Sequence, residues 1–357
     1  MNIKNTASLF GIRALIVGFW LCAILLFLLI PAIVSEVAEK KSITVLAWPT
    51  LIDADQLKKF EEETGIKVHL RYFENNEELY AKVKERGGSG YDLIMPSDYL
   101  LEELIKQDLV KKLDRTKINF FDQLYPHLVG KYFDERNEYS VPFFWSIYGL
   151  AINKEHFGAH QPIPSWALVF DPKLAQQHTC MIDDARELIM IAAQYLYGRQ
   201  AELTEAQFDE IRALLMQQKK WIEMYTEERS TYMLASKASP VAVVFSAIIA
   251  RSMRTSPHID FLIPQEGSFM VIDSFVMPKQ TNKDAYVYQF LNYMYRVDIL
   301  KEGIKKYGFF SPINSPELEA ANSTIPLPTA EQFRKIEFFK NILPKKEVSD
   351  IWIALKA

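Results

Sequence analysis

From residue 42 onward the apolar positions fall into short strand-length runs separated by longer stretches of helical period. Residues 43–47 form a nearly continuous apolar run, as a buried strand requires, and 53–64 read as an amphipathic helix stopped by Gly65. Residues 67–73 alternate like a half-exposed strand, 75–86 carry a helical pattern with Asn75 as cap, 91–95 are again apolar, and 99–107 are again helical. This strand–helix order predicts a parallel sheet covered by helices on both faces. A second series comes after residues 139–153: a strand at 179–182, helices at 184–197 and 205–223, and strands at 241–245 and 259–263. Beyond it come an extended stretch at 269–277, two helices ending at Tyr307, and helices at 331–342 and 346–355. No Pro/Gly/Ser-rich linker separates the two series, so they are expected to be lobes joined by extended crossing segments at 141–147 and 270–275.

Open α/β sheets bind ligands beyond the carboxyl ends of their strands. The residues there are Trp48, Pro96-Ser97-Asp98-Tyr99, Asp183-Asp184 and Phe245-Ser246, which are aromatic, hydroxyl and carboxylate groups with no Lys or Arg among them. That set suits a cation. Asp184 and Glu187 open a helix and fit a capping box, yet a carboxylate has acceptor sites to spare for a ligand ammonium as well. Asp273 interrupts an apolar run, where a buried charge is costly unless paired with an Arg, a Lys or a cationic ligand. Trp48 reads either as packing at the lobe edge or as a cation–π surface, and Tyr99, Tyr148, Phe245 and Phe309 carry the same ambiguity.

The N-terminus adds a compartment. Residues 14–34 are an uncharged run preceded by Lys4 and Arg13, the arrangement of a secretory leader, but long enough to span a bilayer and without a small-x-small cleavage pattern near Ser35 or Ala38. Residues 1–38 are therefore either a cleaved leader or an uncleaved anchor, and both export the rest of the chain. Composition narrows the chemistry further. Of 357 residues only 13 are Gly, about half the usual ~7% share, and the phosphate-loop, dinucleotide, zinc-protease and serine-hydrolase motifs are all missing. A formal charge of −4 with no basic block argues against nucleic acid as a partner. The two cysteines, Cys22 in the apolar run and Cys180, supply no disulfide framework. His156 and His160 are separated by Gly158, which argues against a helical metal pair.

Several stretches together resemble the periplasmic spermidine/putrescine-binding proteins of polyamine ABC transporters. They are Phe60-Glu61-Glu62-Glu63-Thr64-Gly65-Ile66-Lys67-Val68, Tyr91-Asp92-Leu93-Ile94-Met95-Pro96-Ser97-Asp98-Tyr99, Tyr139-Ser140-Val141-Pro142-Phe143-Phe144-Trp145, Asp183-Asp184-Ala185-Arg186-Glu187 and Asp273-Ser274-Phe275-Val276-Met277-Pro278. The resemblance runs from about residue 42 to 315 and is weak over the last 40 residues. It implies a two-lobed α/β periplasmic-binding-protein fold of type II around a central cleft. Residues 42–145 plus 273–312 would form one lobe, and 146–270 plus 313–357 the other. It further implies that Trp48 packs on the polyamine chain, that Ser97, Asp98 and Tyr99 line the cleft, that Asp184 and Glu187 hold one terminal amine, and that Asp273 holds a central or opposite one. Phe245 and Phe309 take positions where the family carries Trp and Tyr; Leu51, Thr50 and Val271 replace an expected Tyr, acidic residue and Trp.

The expectation is an exported binding protein, a monomer without cofactor or metal, that captures polyamines of the putrescine/spermidine class and delivers them to inner-membrane ABC permease subunits. A receptor or sensor for another small cationic amine, or a carboxylate-using hydrolase, remain the alternatives.

Overall fold

The computed structural model describes residues 18–20, 41–49, 51–198, 202–321, 324–339 and 343–357. The expected leader or anchor, apart from residues 18–20, and Thr50 lie outside them. No helix among the described residues is long and apolar enough to cross a membrane.

Ten strands among the described residues form one sheet: β1 (Ser42–Ala47), β2 (Lys67–Tyr72), β3 (Leu93–Ile94), β4 (Ser140–Asn153), β5 (Thr179–Met181), β6 (Ile222–Tyr225), β7 (Val241–Phe245), β8 (Ile259–Leu262), β9 (Ser268–Val276) and β10 (Ile336–Phe338). The order is β2-β1-β3-β9-β4-β7-β5-β6, with β10 on β9 and β8 on β4. At each end the strands are parallel, as the alternating strand–helix pattern predicts: β2, β1 and β3 on one side, β7, β5 and β6 on the other. Between them β9 and β4 run antiparallel to each other and to their outer neighbours β3 and β7. The all-parallel expectation therefore holds only for the flanks.

The two expected crossing segments are neighbours in this centre, with Val141 opposite Phe275 and Trp145 opposite Ile272. Their register shifts between Pro142 and Phe144, where Pro142 has no N–H to give the ladder. The 14-residue β4 pairs with β9 through residue 147, then with β7 and β8 from residue 148 onward. One strand thus ties the two halves of the sheet together.

Local chemistry sets the helix ends that matter here. Asp53 caps Ala54–Thr64 by accepting from the Asp55 N–H, and Gly65 ends it at φ +69°, a left-handed conformation that glycine adopts without a Cβ penalty. Asn75 caps Asn76–Glu85, and Asp184 caps Ala185–Tyr197. Two predicted helices are corrected. The one expected over 205–223 ends at Gln218; after one 3₁₀ turn the chain becomes edge strand β6. The reason is tertiary: Gln218 Nε2 and Trp221 Nε1 both donate to the Val169 carbonyl, at 3.1 and 3.0 Å, which fixes the turn away from helix. The helix expected over 331–342 covers only Ala330–Lys335, because Ile336–Phe338 pair with β9 as β10. Helices Glu228–Ala235 and Ser246–Met253 have no counterpart among the expected elements.

Candidate functional site

Trp48 directly follows β1, Ser97 to Tyr99 follow β3, Asp183 and Asp184 follow β5, and Phe245 ends β7. These strand ends meet around a cleft of about 390 Å³. Eight of the nine residues singled out from sequence line it: Trp48, Ser97, Asp98, Tyr99, Asp184, Glu187, Phe245 and Asp273. Phe309 does not. It is only 1% exposed and packs its ring against Phe143 and Phe144, at centroid distances of 5.8 and 5.6 Å, so it belongs to the core beneath the cleft. The nearby Tyr307 lines the cleft instead.

One wall is built on β9. Asp273, 5% exposed, accepts from Ser97 Oγ at 2.5 Å and from the Trp48 indole N–H at 3.1 Å. Asn76, at the start of its helix, orients Ser97 from both sides: its Nδ2 donates to Ser97 Oγ at 3.0 Å and its Oδ1 accepts from the Ser97 N–H at 3.1 Å. Asp98 is buried beside them and accepts from the Ile272 N–H at 3.1 Å. Burial pushes both carboxyls up to about 7, against the lowering effect of these donors. Trp48 therefore positions an acid as well as offering a ring, which packs on Phe73 at 4.4 Å.

The opposite wall is built on the helix after β5. Asp184 accepts from the Glu187 N–H at 2.9 Å, so the capping role is present. Glu187 sits on the next turn, 8% exposed, and accepts from the Tyr148 hydroxyl through Oε2. Desolvation, reinforced by the Asp184 charge, raises its carboxyl well above the usual range. Phe245 stacks on Tyr148 at 3.8 Å and 29°, closing the apolar floor on that side.

Sequence reasoning missed three groups. Glu227, likewise pushed up to about 7 by burial and by Asp184 and Asp183, lines the cleft just beyond β6. The strand-end rule would have found it had residues 222–225 been read as a strand. Asn76 has the look of a second cap in the sequence, and only the tertiary contact with Ser97 gives it a role. Arg186 belongs to the stretch from Asp183 to Glu187 but was not expected at the site. It enters the cleft with its guanidinium 4.0 Å over the Tyr99 ring and 3.8 Å from Glu187 Oε1. Even so, the lining holds nine carboxyl groups against two guanidiniums, those of Arg186 and Arg251. Burial holds four of these acids, Asp98, Asp273, Glu187 and Glu227, back from full ionisation, and the other five still outnumber the guanidiniums, a balance that favours cationic solutes. Among the described residues no group of three or more His, Cys, Asp or Glu side chains is placed to hold a metal ion.

A mixed sheet whose central strands tie two α/β halves around a polar cleft defines a two-lobed solute-binding protein. The family described as bacterial extracellular solute-binding protein matches residues 55–324, and the chain belongs to it. Among its relatives, the spermidine/putrescine-binding periplasmic protein of Salmonella typhimurium is 28% identical over 321 residues, covering 86% of this chain and 89% of that one. The putrescine-binding periplasmic protein PotF of Escherichia coli is 29% identical over 298 residues, 78% of this chain and 79% of that one. In three dimensions the fold resembles the substrate-binding protein PotD of a spermidine/putrescine ABC transporter from Streptococcus pneumoniae, with a TM-score of 0.75 at 24% identity, covering 88% and 98% of the two chains.

Proposed function

We propose that this protein captures a linear polyamine of the putrescine/spermidine class in the cleft and delivers it to the permease of an ABC importer. The observation that carries the reading is the pair of acidic walls, buried Asp98 with buried Asp273 and buried Glu187 with half-buried Asp184 and Glu227, facing one cleft lined by Trp48, Tyr99 and Phe245. An ammonium leaving water needs a carboxylate or several acceptors to recover its hydration, and the methylenes between ammoniums need apolar faces. The names of the Salmonella and Escherichia relatives support the same ligand class. In this reading Asp184 and Glu187 hold one terminal ammonium, Asp273 holds another, Ser97 and Trp48 fix Asp273, and the aromatic rings hold the chain.

The protein works as a monomeric carrier rather than an enzyme. Residues 42–145 plus 273–312 form one lobe and 146–270 plus 313–357 the other, and they close over the ligand by a hinge motion. The closed form is what the permease reads. Residues 1–38 direct export, and the uncharged run 14–34 keeps part of the protein tethered to the inner membrane. Fractionation tests the tether: release of all protein by osmotic shock, with one mature start near residue 35–39, rules it out. Titration calorimetry of the purified chain with putrescine, cadaverine, spermidine and spermine tests the ligand class. Binding of at least one amine, and none of a neutral diol of equal length, is the expected result. Equal affinity for the diol overturns the reading.

A further inference from the structure

Behind Tyr99 lies a second, larger space of about 680 Å³, bounded on its far side by the C-terminal helix through Val348 and Trp352. It carries one acid, one cation and two aromatics of its own, Glu103, Lys345, Tyr80 and Trp352, and shares Tyr99, Arg186, Asp184, Glu77 and Asn76 with the ligand cleft. The shared pair Arg186 and Tyr99 is the partition between the two. Arg186 rides on the helix Ala185–Tyr197 and Tyr99 on the helix Asp98–Lys106, and their stack at 4.0 Å joins elements from opposite halves of the sheet. The Arg186 side chain is 15% exposed, and its Nε is buried without a hydrogen-bond acceptor.

We propose that Arg186 is a specificity-determining residue: an internal cation that ends the ligand cleft and limits the length of the linear polyamine it accepts. This rests on the polyamine reading above. Two physical effects act at that wall. The guanidinium covers one face of Tyr99 and the Oε1 side of Glu187, so a ligand ammonium held by Asp184 and Glu187 stops short of it and a further ammonium finds that arrangement already filled. Its charge also repels an ammonium brought up to it, in a place where water screens poorly. A chain that fits short of Arg186 is unaffected, whereas a longer one must displace it to reach the second space. Once the guanidinium is gone, the cleft opens onto the second space, where Glu103 and the rings of Tyr80 and Trp352 can receive an ammonium in the company of Lys345.

The experiment is calorimetry with putrescine and spermine on the full chain and on Arg186→Ala, Arg186→Lys and Tyr99→Ala. Arg186→Ala should shift the ratio of the two dissociation constants at least tenfold toward spermine. Arg186→Lys, which keeps the charge, should hold the ratio within threefold. Tyr99→Ala removes the other half of the partition; the lost chain contact weakens both amines, but the ratio should still shift in the same direction, which keeps the proposal testable if Arg186→Ala folds poorly. An unchanged ratio in the folded Ala variants, with putrescine still bound, overturns the length limit and leaves the polyamine reading standing. A wild-type protein that binds neither amine overturns both.

Discussion

At the scale of single residues, the site depends on carboxyls that the fold holds partly protonated. Asp98 and Asp273 are pushed to about 7 from an ordinary value of 3.8, chiefly by desolvation. A carboxyl whose pKa is higher folded than unfolded binds its proton more tightly in the native state, so ligand-free stability should fall as pH rises from about 4 to about 7. Ligand binding has the opposite sign. An alkylammonium stays charged well above this range, as Lys does, and it favours the ionised acids. Polyamine affinity should therefore rise between about pH 5.5 and 8 with net proton release, read by calorimetry in buffers of different ionisation enthalpy. A flat profile without proton release would mean that these acids do not meet the ligand. Removing the charges tests the same residues directly. Glu187→Gln keeps an acceptor for the Tyr148 hydroxyl, and Asp273→Asn keeps one for Ser97 and Trp48. Each should cost roughly 2–5 kcal/mol of binding, a loss of tens to thousands of fold, with ligand-free melting temperatures near wild type. Unimpaired binding would return both residues to structural roles.

At the scale of elements, Asp184 serves the helix Ala185–Tyr197 as its cap and the cleft as a charge. The two roles separate by substitution. Asp184→Asn retains the side-chain oxygen that accepts from the Glu187 N–H, so melting should stay put while polyamine binding weakens. Asp184→Ala loses the cap as well and should unfold at lower denaturant, by about 0.5–2 kcal/mol. If Asn and Ala behave alike in both assays, the cap and the ligand role are not separable. The same helix was legible in the sequence because its apolar period and its cap agree. The edge strands β6 and β10 were not. Each is three or four residues long, too short to show a period, and each is strand only because a neighbouring strand offers it a ladder.

At the scale of the whole molecule, the acidic cleft should act as a field as well as a set of contacts. Raising ionic strength from about 0.02 to about 0.5 M shortens the screening length severalfold and should weaken diamine binding, through slower association above all, since steering acts over distance. Stopped-flow association rates at the two salt concentrations check it, and salt-independent rates would confine the electrostatics to the buried contacts. Binding should also raise thermal stability, by about 2.7 kcal/mol at a hundredfold excess over the dissociation constant.

The sequence by itself determined the two α/β series, the extended segments between them, and the strand ends where Trp48, Ser97, Asp98, Asp184 and Phe245 stand. These arise from short-range period, caps and glycine stops, which are local properties of the chain. What the tertiary structure decided is which of those residues share a cleft and what state they hold there. Phe309 and Tyr307 are two positions apart, and only packing places the first in the core and the second at the lining. Arg186 lies one residue before Glu187 on a helix that points it across to Tyr99, a residue 87 positions earlier in the chain. The proton affinity of Asp273 depends on the water removed around it and on Ser97 and Trp48, brought from the ends of β3 and β1. Desolvation and long-range contact depend on the whole folded surface, so no local pattern of residues encodes them.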